Sequence, residues 1–82
     1  MNITKINIRP VEMKKVKALA SITIDDVFVI HGLRVVEGNK GLFVAMPSRK
    51  LPNGDHRDVA HPINTETRDI IQDVVLSEYQ RS

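Results

Sequence analysis

Two short runs, Val27 to Ile30 and Leu42 to Met46, are apolar at every position, while only one stretch carries helical spacing: Ile70, Ile71, Val74, Val75 and Tyr79. A strand without polar alternation reads as buried on both faces, so Leu42 to Met46 is expected to be a central strand between two layers, with Phe28 and Phe43 in the core. One helix shields one face of a small sheet, and a chain of 82 residues has little left to cover the other. A second copy of the chain supplies that layer. The chain has no cysteine, so disulfides, thiolate metal sites and thiol nucleophiles are all excluded, and association is the remaining way to extend a small core.

The rest of the chain is divided by turn signals. Ile6 and Ile8 stand between Lys5, Asn7 and Arg9, the alternation of a half-buried strand over Ile3 to Arg9 that Pro10 ends. Val16, Ala18, Ala20, Ile22 and Ile24 give a second strand from Val16 to Ile24, and Asp25 with Asp26 suits a tight two-residue turn. After Val27 to Ile30, Gly32 marks a bulge or bend before Leu33, Val35 and Val36, and Gly38 to Gly41 forms a further turn. Ser48 to Asp58 is polar and contains Pro52, Asn53 and Gly54, which makes it the longest irregular stretch and the expected functional loop. Val59 to Ile63 is expected to be a short last strand, and Asn64 or Thr65 to cap a helix with Glu66 in its first turn. The expected fold class is α+β: a small antiparallel sheet of four to five strands with a C-terminal helix, dimeric, forming a single domain over residues 1–82.

No apolar stretch approaches the roughly 20 residues of a membrane span, and the N-terminal sequence has no charged region followed by an apolar run. A cytoplasmic protein without membrane contact is expected. Net charge is +2, from 12 Lys and Arg against 10 Asp and Glu, so the placement of the cations matters more than their small excess. Arg49 and Lys50 sit where an apolar strand opens into the Pro-Gly loop, and Arg57 lies beyond the turn. Exposed cations of this kind neutralise phosphates with little sequence preference; the plain alternative is a solvated charged loop. Lys14, Lys15 and Lys17 form a second group that either widens a basic surface or discourages pairing at a hairpin end. The only aromatic residues are Phe28, Phe43 and Tyr79, which leaves little material for base stacking and favours backbone recognition.

His56, Asp58 and His61 have donor side chains close in sequence, but in an extended segment His56 and Asp58 point one way and His61 the other, so they do not converge on one ion. His61 before Pro62 reads as structural, and His31 as a core or interface residue. There is no G-x-S-x-G elbow and no phosphate-cradling glycine loop, and Asp25 with Asp26 is a turn before it is a carboxylate dyad. No catalytic residue, metal site or cofactor is therefore expected.

At GLFVAMPSRK, Gly41 to Lys50, followed by RDVAHPINTETR, Arg57 to Arg68, and with ASITIDDVFVIHGLRVVEG from Ala20 to Gly38, the sequence resembles the stage V sporulation protein G family of bacteria. The resemblance covers essentially the whole chain. It implies a small α+β dimer, a non-enzymatic regulator linked to septation, cell division and sporulation, which in members of the family binds DNA and RNA. It also implies that the basic stretch after the MPS block, here Ser48, Arg49 and Lys50 with Arg57, contacts nucleic acid. The rival from another class is an interaction module that docks a protein of the division machinery without nucleic acid; a small metal-dependent hydrolase using His56, Asp58 and His61 stands behind both.

Overall fold

A computed structural model describes residues 2–81. Four strands, β1 (Ile3–Pro10), β2 (Val16–Ile24), β3 (Phe28–Gly38) and β4 (Gly41–Ala45), form an antiparallel meander in the order β1-β2-β3-β4. Two further strands, β5 (Ser48–Lys50) and β6 (His56–Asp58), pair only with each other, and α1 (Thr65–Arg81) closes the chain. The fold is α+β.

Local chemistry explains the turns. Asp25 and Asp26 both have positive φ, 52° and 59°, the left-handed pair that a tight hairpin requires and that aspartate tolerates. The turn is closed by Val27 N donating to Ile24 O at 3.0 Å, and Asp26 N donates to Thr4 Oγ1 of the neighbouring strand at 3.1 Å. At the next turn Gly38 pairs with Gly41, leaving Asn39 and Lys40 as the loop. The register between β2 and β3 steps from Ala20↔Leu33 to Ile22↔Ile30, so His31 and Gly32 together oppose Ser21. This is the bulge that Gly32 signalled. Gly32 has φ +89°, and a Cβ there would stand 3.2 Å from the Cβ of Pro47, so glycine serves both the backbone turn and a close approach.

The cross-strand pairs assign the faces. Ala18, Ala20, Ile22, Leu33, Val35, Val44 and Met46 lie on one side and form the core with Ile71 and Val75 of α1. Asn64 caps that helix by accepting a bond from Thr67 N at 2.7 Å, and Gln72 Oε1 accepts one from Val44 N at 3.3 Å, satisfying part of the free edge of β4. The opposite face, away from α1, carries Leu19, Arg34 and Ala45 in one row and Val16, Val36 and Phe43 in the next, and Arg34 on it reaches Ser48 of β5.

Several expectations are corrected. Leu42 to Met46 is not a central strand: β4 is an edge, because β5 turns away at Pro47 instead of pairing beside it. Phe43 is 41% exposed and Phe28 61% exposed, so neither is a core residue of the single chain; Phe43 lies on the face opposite α1, and Phe28 is the first residue of β3, beside the Asp25-Asp26 turn. Val27 and Val29 are exposed as well. Val59 to Ile63 forms no strand, and Ile63 is 91% exposed. Ile70 is exposed too, so the covered stripe of α1 is narrower than its spacing suggested. Ser48 to Asp58 is not irregular but a hairpin. No helix among the described residues is long and apolar enough to cross a membrane.

Candidate nucleic-acid interface

The β5–β6 hairpin is built by turn chemistry and not by apolar alternation. Leu51 N donates to Asp55 O at 2.6 Å and Gly54 N to Leu51 O at 2.9 Å, with Gly54 at φ +93°. Asn53 stabilises the same turn by accepting at Oδ1 from Asp55 N, at 3.0 Å, and donating from Nδ2 to the Asp55 carboxylate at 3.3 Å. Val59 N donates to Pro47 O at 2.7 Å and closes the base. With those ends fixed, the register is Ser48↔Asp58, Arg49↔Arg57 and Lys50↔His56.

That register separates the basic residues by face. Arg49 and Arg57 are directly opposite one another on one side of the hairpin, both exposed. Lys50 stands with His56 on the other side, beside the row of Ser48 and Asp58. The cationic pair is thus Arg49 with Arg57, not Arg49 with Lys50. Neither Asp55 nor Asp58 neutralises it: among the described residues no ion pair includes Arg49, Lys50 or Arg57. Like charges directly opposite in a hairpin are destabilising by a few tenths of a kcal/mol, up to about 1 kcal/mol, unless an anion lies between them.

Ser48 is placed differently from its neighbours. It is half-buried, and its Oγ accepts a hydrogen bond from Arg34 Nη2 at 3.2 Å. The same nitrogen donates to Met46 O at 3.3 Å. Ser48 belongs to the attachment of the hairpin.

The second basic group divides. Lys14 and Lys15 are exposed in the bend between β1 and β2, whereas Lys17 Nζ lies 3.6 Å from Glu37 Oε2. Glu37 N also donates to Lys15 O at 2.8 Å, which fixes this group at the Gly38 end of the sheet. The hairpin departs from the other end of β4. The two groups do not form one continuous surface on a single chain. His56 and Asp58 share a face of the hairpin, while His61 sits near the start of α1 with Nδ1 3.1 Å from Pro62 O. No group of three or more His, Asp or Glu side chains is arranged to hold a metal ion among the described residues.

The pairing of Arg49 with Arg57 could have been found in the sequence. Both are four residues from Asn53, as Lys50 and His56 are both three away, so counting outward from the Pro-Asn-Gly turn gives the register. The Arg34 contact had no such signal, because it joins residues 12 and 14 apart across a bulged strand.

The family model SpoVG matches residues 1–81. The chain belongs to the SpoVG family. It is 54% identical over 83 residues to a protein of Lachnospira eligens, covering 100% of this chain and 94% of that one. It is 58% identical over 81 residues to a protein of Agathobacter rectalis, covering 98% and 93%, and 52% identical over 82 residues to one of Clostridium perfringens, covering 99% and 91%. Each of these SpoVG relatives bears the name "Putative septation protein SpoVG".

Proposed function

We propose that this SpoVG-family chain is a non-enzymatic regulator of septation that binds DNA, and RNA as a second ligand, through the phosphate backbone, with the hairpin cations Arg49 and Arg57 as principal contacts and Lys50 beside them. The septation role is taken over from the names of its relatives. One observation carries the nucleic-acid reading: two arginines directly opposite on an exposed hairpin, with no carboxylate paired to either. A phosphate placed between them accepts hydrogen bonds from both guanidiniums and relieves their repulsion. Lys14 and Lys15 contribute a separate, weaker basic area, and Lys17 contributes less because Glu37 already neutralises it.

The working form is a homodimer. The accessible surface of the chain is 6105 Å², against about 4,900 Å² for a compact monomer of its 9.2 kDa mass. The excess of about 1,200 Å² is larger than the roughly 800 Å² that each partner buries in a standard interface. A second copy seated on the face opposite α1, where Val29 and Phe43 are exposed, covers part of this surplus and duplicates the cationic hairpin. Electrophoretic mobility of random duplex DNA and of RNA at low and physiological salt tests the reading. Binding to both that weakens steeply with salt is expected; a chain that retards neither at low salt is not a nucleic-acid binder.

A further inference from the structure

The hairpin is tied to the main sheet by very little. β5 and β6 contact each other extensively and the sheet hardly at all, and the linking backbone passes through Met46, Pro47 and Ser48. Two devices hold this junction. Pro47 packs against the backbone of Gly32 in the β3 bulge, and the half-buried Arg34 places one guanidinium nitrogen between Met46 O on one side of Pro47 and Ser48 Oγ on the other. Arg34 is anchored in mid-sheet, paired with Leu19 and Ala45, so its side chain spans from the rigid meander to the first residue of the hairpin.

We infer that Arg34 is a positioning residue that fixes the angle of the cationic hairpin to the sheet, and that Ser48 is its partner in this task and not a phosphate contact. The inference rests on the hairpin being the binding element. Its physical basis is preorganisation: a hairpin hinged at Pro47 samples several orientations, and affinity falls in proportion to the fraction that presents Arg49 and Arg57 correctly. A planar guanidinium with several donors serves two acceptors from one fixed orientation, while the lysine ammonium on its flexible stem does so less well.

The chain holds no cysteine, so K50C with D73C gives a spin-label pair between the hairpin and the exposed side of α1. Labelled protein diluted in excess unlabelled protein reports distances within one subunit. A narrow distance distribution is expected for the otherwise native chain, clearly broadened by R34A and by R34K, and broadened less by S48A. On duplex DNA, R34A without the labels should bind about tenfold more weakly at fixed salt, the bias that one charge-assisted hydrogen bond gives to an orientation, with the slope of log K against log salt unchanged. R34K keeps the charge and the stem, and covers the case in which R34A does not fold. An unchanged distance distribution overturns the inference. So does a slope that falls by about one unit for each Arg34 removed and is restored in R34K, because Arg34 would then be a phosphate contact itself. If the native chain binds no nucleic acid, the binding role of the hairpin fails, and the distance distribution alone decides whether Arg34 sets its orientation.

Discussion

Replacing Arg49 and Arg57 together by alanine removes the opposed pair and nothing that supports the fold, since both side chains are exposed and neither enters an ion pair among the described residues. A dimer loses four cations. Each phosphate contact contributes about 0.9 to the salt slope on duplex DNA and about 0.7 on single strands, so the slope should become shallower by about 3.6 units on duplex and about 2.8 on single-stranded RNA. Between about 50 and about 200 mM salt the ratio of native to variant affinity should therefore narrow by about two decades. Titrations by fluorescence anisotropy at four or more salt concentrations measure this directly. A change of half that size means that only one subunit's hairpin is engaged. Stability should stay constant or rise by a few tenths of a kcal/mol, because a like-charged cross-strand pair has been relieved. K50A, on the other hairpin face, should change the slope by less than the Arg49 and Arg57 pair does. Unaltered affinity and slope in R49A/R57A refute the backbone mechanism; so does an affinity loss confined to one DNA sequence with an unchanged slope, which is the behaviour of base-reading residues.

Sedimentation at micromolar concentration should give a dimer whose thermal midpoint falls on dilution, with V29S and F43S shifting the equilibrium towards monomer; one monomeric species throughout refutes the shared surface. G32A should cost about 1 to 2 kcal/mol in denaturant unfolding, because it forces a Cβ into a left-handed position 3.2 Å from Pro47 Cβ; no loss would mean that the bulge relaxes freely. N64A removes the acceptor for Thr67 N and should cost about 1 kcal/mol by the same measurement, with R49A/R57A as the surface control.

Strands whose two faces meet different surroundings were readable from the chain alone. β2 runs from Val16 to Ile24 as its alternation says, the Asp25-Asp26 turn has the backbone that two aspartates tolerate, and Asn64 is the cap. An all-apolar run carries less information. Leu42 to Met46 reads as buried on both sides, whereas β4 lies at an edge with Phe43 exposed over the backbone of Gly38 on the face opposite α1. The hairpin leaves no such trace in the sequence, for the opposite reason. Ser48 to Lys50 and His56 to Asp58 have no apolar residue to alternate, so periodicity is silent, and the hydrogen bonds around Asn53 and the Val59–Pro47 bond at the base hold the strands in register.

The separation of the two parts has a consequence for how this molecule can vary. Core contacts join β1 to β4 with α1, and none of the nine buried side chains among the described residues lies in the hairpin. Changing the charge of Arg49, Lys50 or Arg57 therefore leaves the hydrophobic contribution to folding intact, whereas the same change on β2 or β3 disturbs a packed face. The hairpin keeps its own shape through Asn53, Gly54 and the Pro47–Val59 bond, and takes its direction from Arg34 on the sheet. On the proposed mechanism, loss of a cation on the hairpin should weaken attraction to phosphate in proportion to the charge removed, and loss of Arg34 should weaken it without altering the number of phosphate contacts. The salt slope distinguishes the two, because it counts released ions and is insensitive to how often the binding orientation is populated.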